Sequence, residues 1–231
     1  KIIIIEDCAH AIGSRIKNKK VGSIGIAGCF SFFSTKTITT AEGGMLTTND
    51  KKLYDYAISL RERGRDWTKP VEIYKEAWRN CRVPEFNALL GLKQFSNINK
   101  IINHRGQIAL IYDNYISKSL HISTLPKYKG IKLSLWKHIT IINNNKINRN
   151  KLAKNLFNKY GIVINWAYTP PIHLQPVYKK LYNIKSNSLP ITENIMKKHF
   201  HLPLHMKIRK KDAIYIVKSL IKELEYMARF D

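Results

Sequence analysis

An α/β region followed by a smaller α+β region is the fold class this sequence predicts, and three observations predict it. The aliphatic run Ile2–Ile5 stops abruptly at Glu6-Asp7. That is the pattern of a parallel strand buried on both faces, whose carboxyl end carries ligand-contacting polar groups. Short apolar strands then alternate with helical periods over the first hundred or so residues. Past Leu120 that alternation gives way to strands and helices in no regular order.

The elements follow in order. Ile2–Glu6 is the first strand, Gly28–Phe33 the second and Gly44–Thr48 the third. Residues 34–43, rich in Thr and Gly, are too polar for a core and form a loop. Asp50 caps a helix in which Leu53, Ala57 and Leu60 recur at i, i+4 and i+7, and Gly64 stops it. Residues 65–81 have no clean period and read as an irregular excursion. A second helix starts near Pro84, with Phe86, Leu89, Leu90 and either Lys93 or Phe95 on its face, and a long helix runs from Asn99 to about Leu120. Leu133–Ile142 reads as a strand, Asn143-Asn144-Asn145 as a turn, and Asn150–Tyr160 as a helix ended by Gly161. Ile162–Trp166 is another strand, and Thr169-Pro170-Pro171 breaks the backbone. Glu193–Phe200 and Lys211–Met227 have the spacing of amphipathic helices. The domain boundary lies near 105–120, giving regions 1–110 and 111–231. An aliphatic strand that opens the chain with no cap or loop before it leads us to expect a fragment of a longer domain.

Composition narrows the function classes. With 231 residues, 44% hydrophobic and 24% charged, the chain is neither a disordered tail nor a disulfide miniprotein. It holds no run approaching the ~20 apolar residues of a membrane span, so no membrane partner is expected. Cys8, Cys29 and Cys81 form no CxxC pair, which predicts a reducing, cytoplasmic setting without structural zinc. The net charge of +24 invites a nucleic-acid reading. Yet Lys outnumbers Arg by 30 to 10, and 33 Ile and 19 Asn accompany it, the joint bias of AT-rich coding. The basic residues are dispersed, and Arg, the better reader of bases and phosphates, is scarce. No nucleic-acid partner is expected. His199, His201 and His205 do not line one helix face and have no carboxylate to complete a metal set, so no metal is expected.

Three pieces of the first fifty residues carry chemistry: Glu6-Asp7-Cys8-Ala9-His10 at a strand end, Phe30 to Lys36 running from a strand into a polar turn, and Ala41-Glu42-Gly43-Gly44-Met45. One lysine, a strand-end carboxylate 29 residues earlier and hydroxyls beside the lysine match the needs of pyridoxal phosphate. The lysine forms the Schiff base, the carboxylate keeps the pyridine nitrogen protonated, and hydroxyls and backbone amides hold the phosphate. By spacing alone, Lys36 reads first as one surface lysine among thirty. Cys8 and Cys29 read as small core residues. Trp67, Trp78 and Trp136 either cover a sugar or nucleotide face or simply pack.

The residues themselves resemble a known family. Ile5 to Ser14, Lys20 to Ser23, Gly28 to Phe32, Thr35 to Met45, Arg63 to Asp66, Asn80 to Arg82, Phe86 to Gln94, Trp136 to His138, Pro170 to Pro176 and Leu202 to His205 occur in order. Together they are similar to the DegT/DnrJ/EryC1/StrS sugar aminotransferases. The resemblance implies a fold type I, aspartate aminotransferase-like α/β architecture. Residues 1–110 would be the C-terminal part of the cofactor-binding large domain, and 111–231 the small α+β domain. It implies pyridoxal 5'-phosphate as cofactor, and amine transfer from an amino acid such as glutamate to the keto group of a nucleotide-linked sugar, in polysaccharide or related amino-sugar biosynthesis. Lys36 resembles the Schiff-base lysine, Asp7 the carboxylate on the ring nitrogen, and His10 the residue at the phenolic oxygen. Ser31 resembles the phosphate-binding serine, and Asn80 the asparagine that reaches the partner's site in a homodimer. His173 is a weaker candidate, facing either substrate or its flanking prolines. Relatives carry a segment before the Glu-Asp strand with a Gly-Thr phosphate loop and a ring-stacking aromatic. The expectation is therefore a poor catalyst on its own. The alternative is a regulatory or catalytically incomplete chain that keeps only the fold. Some relatives replace the lysine with histidine and dehydrate sugars, which Lys36 argues against.

Overall fold

The computed structural model describes residues 2–230. In chain order its elements are β1 (Ile5–Asp7), β2 (Arg15–Ile16), β3 (Lys19–Lys20), β4 (Ala27–Ser31), β5 (Gly44–Thr47), α1 (Lys51–Arg61), α2 (Glu85–Phe95), α3 (Ile98–Ile116), β6 (Ile122–Thr124), β7 (Ile131–Lys132), β8 (His138–Ile142), α4 (Arg149–Tyr160), α5 (Pro176–Tyr182), α6 (Pro190–Lys198), β9 (His199–Leu202) and α7 (Lys210–Phe230). They fall into two compact units: residues 1–103 with 128–136, and residues 104–127 with 137–231. The division falls within α3, and the chain returns to the first unit for nine residues.

The first unit is built on a three-stranded sheet in the order β1-β4-β5. β1 and β4 are parallel, with Asp7 opposite Cys29, and β5 joins antiparallel, with Ser31 opposite Gly44. A second small sheet, β3-β2-β7, ties the returning segment down, pairing Arg15 with Lys132 and Ile16 with Ile131. Helix α1 starts where Asp50 accepts the Leu53 N–H at 2.9 Å, satisfying one of the donors a helix start leaves bare. Three spans differ from their sequence-based expectation here. The aliphatic run is not buried: Ile2 to Ile5 are 58–92% exposed. β1 has β4 as its one sheet neighbour, and among the described residues no layer covers those side chains. Leu133–Ile142 is not one strand: β7 has ended at Lys132, Leu135 takes φ +53, and only His138–Ile142 is extended, as β8. The strands β2 and β3 have two residues each, too short to carry a periodicity in the sequence.

The second unit holds an antiparallel sheet, β6-β8-β9, with Ile122 opposite Ile142 and Thr140 opposite Phe200. Its core is well filled. Ala213, Val217, Leu220, Leu224 and Met227 of α7, Leu152 and Leu156 of α4, Ile108, Tyr112 and Ile116 of α3, and Phe200 of β9 are all at most 2% exposed. The α7 residues recur at i, i+4, i+7, i+11 and i+14, one helical stripe. Each large aliphatic side chain so buried contributes about 1.5–3 kcal/mol. Helix α4 begins where Asn148 accepts the Lys151 N–H at 3.0 Å and ends at Gly161, whose φ of +66 is a left-handed cap. Glu193–Phe200 is not one helix. α6 stops at Lys198, and Phe200 turns into β9, where pairing with β8 outweighs the amphipathic period. Ile162–Trp166 is not a strand either; Asn165 alone makes an isolated bridge with His201.

Candidate active site

The first unit's site grows from two neighbouring strand ends. Because β1 and β4 are parallel, both deliver their carboxyl ends to the same edge, with Asp7 opposite Cys29 and Ser31 two residues further along β4. One Asp7 oxygen accepts the Ala9 N–H at 3.0 Å, which shapes the turn that carries His10. Beneath it, Glu6 accepts the backbone N–H groups of Gly22 at 2.8 Å and of Ile24 and Gly25 at 2.7 Å. Burial pushes the Glu6 carboxyl up, but the three backbone donors outweigh it and hold the group below its usual value.

From Ser31 the chain enters the loop that carries Lys36. This loop closes on itself: Lys36 N–H donates to Phe33 O at 2.9 Å, Thr40 N–H to Phe32 O at 2.9 Å, and Phe32 N–H to Gly43 O at 2.9 Å. Helix α2 clamps it from the side. Gln94 accepts the Thr39 N–H at 3.1 Å and donates to the Thr39 carbonyl at 2.7 Å, and the Asn87 amide donates to the Glu42 carbonyl at 3.3 Å. Gly43 and Gly44 are required by the closeness of that packing. A Cβ at Gly43 would lie 2.4 Å from the Thr40 hydroxyl, and one at Gly44 would lie 2.8 Å from the Phe30 carbonyl. Gln94 and Asn87 fall inside the Phe86–Gln94 motif but carry no chemical signature of their own, so the sequence did not mark them as site residues.

Lys36 is half-buried. Desolvation lowers its amine below the usual lysine value, and the charge of Asp7 acts in the opposite sense. Its Nζ lies 4.9 Å from the centroid of the Trp136 ring. His10 stacks on the same indole at 3.7 Å and 12°. Asp7, His10, Ser31 and Lys36 are thus gathered at one end of the first unit's main sheet, with Trp136 among them. Ser31 Oγ accepts the Phe33 N–H at 3.4 Å.

Asn80 lies apart, in the exposed excursion before α2, where its carbonyl oxygen accepts from the Arg82 backbone at 3.2 Å and from the Arg82 Nε at 3.1 Å. His173 belongs to the second unit. Its Nε2 meets Glu193 at 3.2 Å, while Glu193 also accepts the N–H groups of Asn187 and Leu189. The arrangement staples the start of α6. His199 and His201 sit tilted 5.5 Å apart on β9, and among the described residues no three of His, Cys, Asp and Glu are grouped to hold a metal. Cys8 is buried, Cys29 and Cys81 are exposed, and all three are free thiols. Among the described residues no helix is long and apolar enough to cross a membrane.

A partly desolvated amine, a strand-end carboxylate acting on it, a hydroxyl at the adjoining strand end and a tightly closed loop form a donor set of the kind pyridoxal phosphate requires. Comparison with known proteins bears on the family and the fold. The chain is 30% identical over 224 residues to the GDP-perosamine synthase of Escherichia coli O157:H7, covering 95% of this chain and 57% of that protein. Helicobacter pylori PseC, described as an aminotransferase involved in the biosynthesis of pseudoaminic acid, superposes with a TM-score of 0.86 at 29% identity, over 97% of this chain and 60% of that one. Spr1654 of Streptococcus pneumoniae in its pyridoxamine-phosphate form gives 0.89 at 28% identity, over 99% and 58%. The chain therefore spans about three fifths of the length of these relatives, and what it shares with them is the fold type I architecture of pyridoxal-phosphate-dependent transferases. The sequence profile of one family matches residues 1–221; the chain belongs to the DegT/DnrJ/EryC1/StrS aminotransferase family.

Proposed function

We propose that this chain carries the lysine side of a pyridoxal phosphate site and serves reversible amine transfer between an amino acid and the keto group of a nucleotide-linked sugar. The observation that carries the reading is the convergence of Lys36 and Asp7: the carboxylate's charge reaches the amine across a turn that α2 holds closed. When bound, the cofactor supplies an electron sink for the carbon that gains or loses the amine.

The chain's own residues do the rest. Lys36 offers a nucleophilic amine, and desolvation increases its uncharged fraction near neutral pH. The same amine is placed to move a proton to and from the reacting carbon. Asp7 uses one oxygen for Ala9 N–H and keeps carboxylate charge for a protonated ring nitrogen. Ser31, whose oxygen accepts Phe33 N–H, has a hydroxyl proton to donate to phosphate. His10 takes the phenolic-oxygen side. The Asn80 amide nitrogen is the donor that a partner's site would use in a homodimer. Glutamate is the proposed donor, and polysaccharide or amino-sugar synthesis the proposed use of the product.

The test is direct. Pyridoxal phosphate is added to the full chain, reduced with borohydride, and the protein is digested and mapped by mass. The adduct is expected on Lys36 in preference to the other 29 lysines. Label spread evenly over the surface lysines would overturn the reading.

A further inference from the structure

We propose that Trp136 is a positioning residue of this site, holding His10 on its ring face while its indole N–H fixes the carbonyl of the residue before Lys36. The inference rests on the cofactor reading above and adds to it a residue from outside the strand-end motifs.

Three contacts meet on one side chain. The His10 ring lies 3.7 Å from the indole and nearly parallel to it. The Trp136 Nε1–H donates to the Thr35 carbonyl at 2.6 Å, across 101 residues of sequence. The Lys36 ammonium lies over the same ring at 4.9 Å, where the negative π-face attracts it. One rigid plane therefore sets the orientation of the imidazole and the entry of the lysine loop together. Without it, His10 would lose its stacking partner, and Thr35 would lose the link to a distant segment that registers the loop.

The fold builds an anchor for this plane. Residues 128–136 return to the first unit and pair through β7 with β2. Two residues before Trp136, Ser134 is 1% exposed; its N–H donates to Ser14 Oγ at 3.0 Å, and the two hydroxyls are also bonded at 3.0 Å. Ser14 lies four residues past His10, so the same short segment supports both partners of the stack. Between the anchor and the tryptophan, Leu135 adopts φ +53, a conformation that costs a branched side chain energy. Strain of this kind persists where surrounding contacts fix it, and it clusters at functional sites. Here Leu135 joins the Ser134 anchor to the indole that both His10 and Lys36 meet.

Phe and Leu at position 136 separate a ring's role from that of bulk. Both lose the Thr35 hydrogen bond and both stay apolar; only Phe keeps a flat face. Two readouts are taken on the full chain. The first is the share of borohydride-trapped pyridoxal phosphate found on Lys36 relative to other lysines. The second needs no cofactor: the chemical shift of the His10 ring protons, which a stacked indole moves upfield. In W136L the Lys36 share should fall about tenfold or more, since small misplacements of a reacting group are costly, and the His10 protons should move downfield. In W136F the share should stay within about threefold of the natural chain, with part of the His10 shift retained. Equal behaviour of W136F and W136L, with melting temperature alone affected, would overturn the positioning role and leave the cofactor reading intact. Failure of the natural chain to label Lys36 would overturn the cofactor reading, and this proposal with it.

Discussion

Burial and charge act against each other at several single residues, and their balance has measurable consequences. At Lys36 desolvation outweighs the pull of Asp7, which suits an amine that must be uncharged to react. At Glu6 three backbone donors outweigh burial, so the residue beside Asp7 stays ionised and pins the loop 22–25. His201 lies at the other extreme. It is 7% exposed, and burial, reinforced by the charge of Lys137, lowers its imidazole to about 4. Its folded value is thus below the usual 6.5, so the unfolded chain binds the extra proton first as pH falls. Stability is full above about pH 6.5 and is lost between there and about 4; below that both states are protonated and the loss stops. A shift of this size corresponds to about 2 kcal/mol lost between pH 7 and pH 4.5. Urea unfolding of the natural chain and of His201→Asn at both pH values checks this. The variant should be weaker at pH 7 but show a fall with pH that is about 2 kcal/mol smaller. Parallel falls in the two proteins would show that His201 does not titrate in that window.

Elements whose boundaries are fixed by local chemistry were legible in the sequence, and those fixed by distant partners were not. Helix α4 illustrates the first kind. Its apolar positions Leu152 and Leu156 are buried, its end at Gly161 needs a left-handed residue, and the capping Asn148 lies just before it. Replacing Asn148 by Ala removes the acceptor for Lys151 N–H and should cost about 1 kcal/mol, with a range of 0.5–2. Thermal unfolding of Asn148→Ala against Asn148→Ser tests it, because Ser restores an acceptor and should recover most of the loss. Strand β9 illustrates the second kind. His199–Leu202 continues the period of α6, and only pairing with β8, some sixty residues earlier, turns it into a strand. The candidate site divides in the same way. Asp7, Ser31 and Lys36 were legible because strand ends and polar turns are written within a few residues. Trp136 lay in a segment that resembles the family, but its side chain read only as packing or substrate cover, because its partners His10 and Thr35 are more than a hundred residues away. Gln94 was hidden for the same reason: its work is to hold two backbone atoms of Thr39, which no side-chain motif records.

Charge and apolar surface oppose one another across the whole chain. A formal charge of +24 makes every copy repel every other. The first unit nevertheless exposes Ile2 to Ile4 just before β1 and Ile5 within it, and Phe86, Leu89, Leu92 and Phe95 of α2 are each more than half exposed. β1 has a sheet neighbour on one side only among the described residues, and an aliphatic, unpaired strand edge is a template for association. At low ionic strength the screening length is long, about 30 Å at 0.01 M, and repulsion should keep copies apart. At about 0.15 M it falls to roughly 8 Å and the repulsion is largely screened, while the attraction between apolar faces is unchanged. Association should therefore rise with salt, the reverse of what contact between opposite charges would give. Light scattering of the full chain from about 0.01 to 0.5 M sodium chloride measures it. Ile3→Lys combined with Leu89→Lys adds charge at both faces and removes apolar area, so the onset should move to higher salt by severalfold. Association that is strongest in low salt, or that is indifferent to the double substitution, would show that these faces are not what draws the copies together.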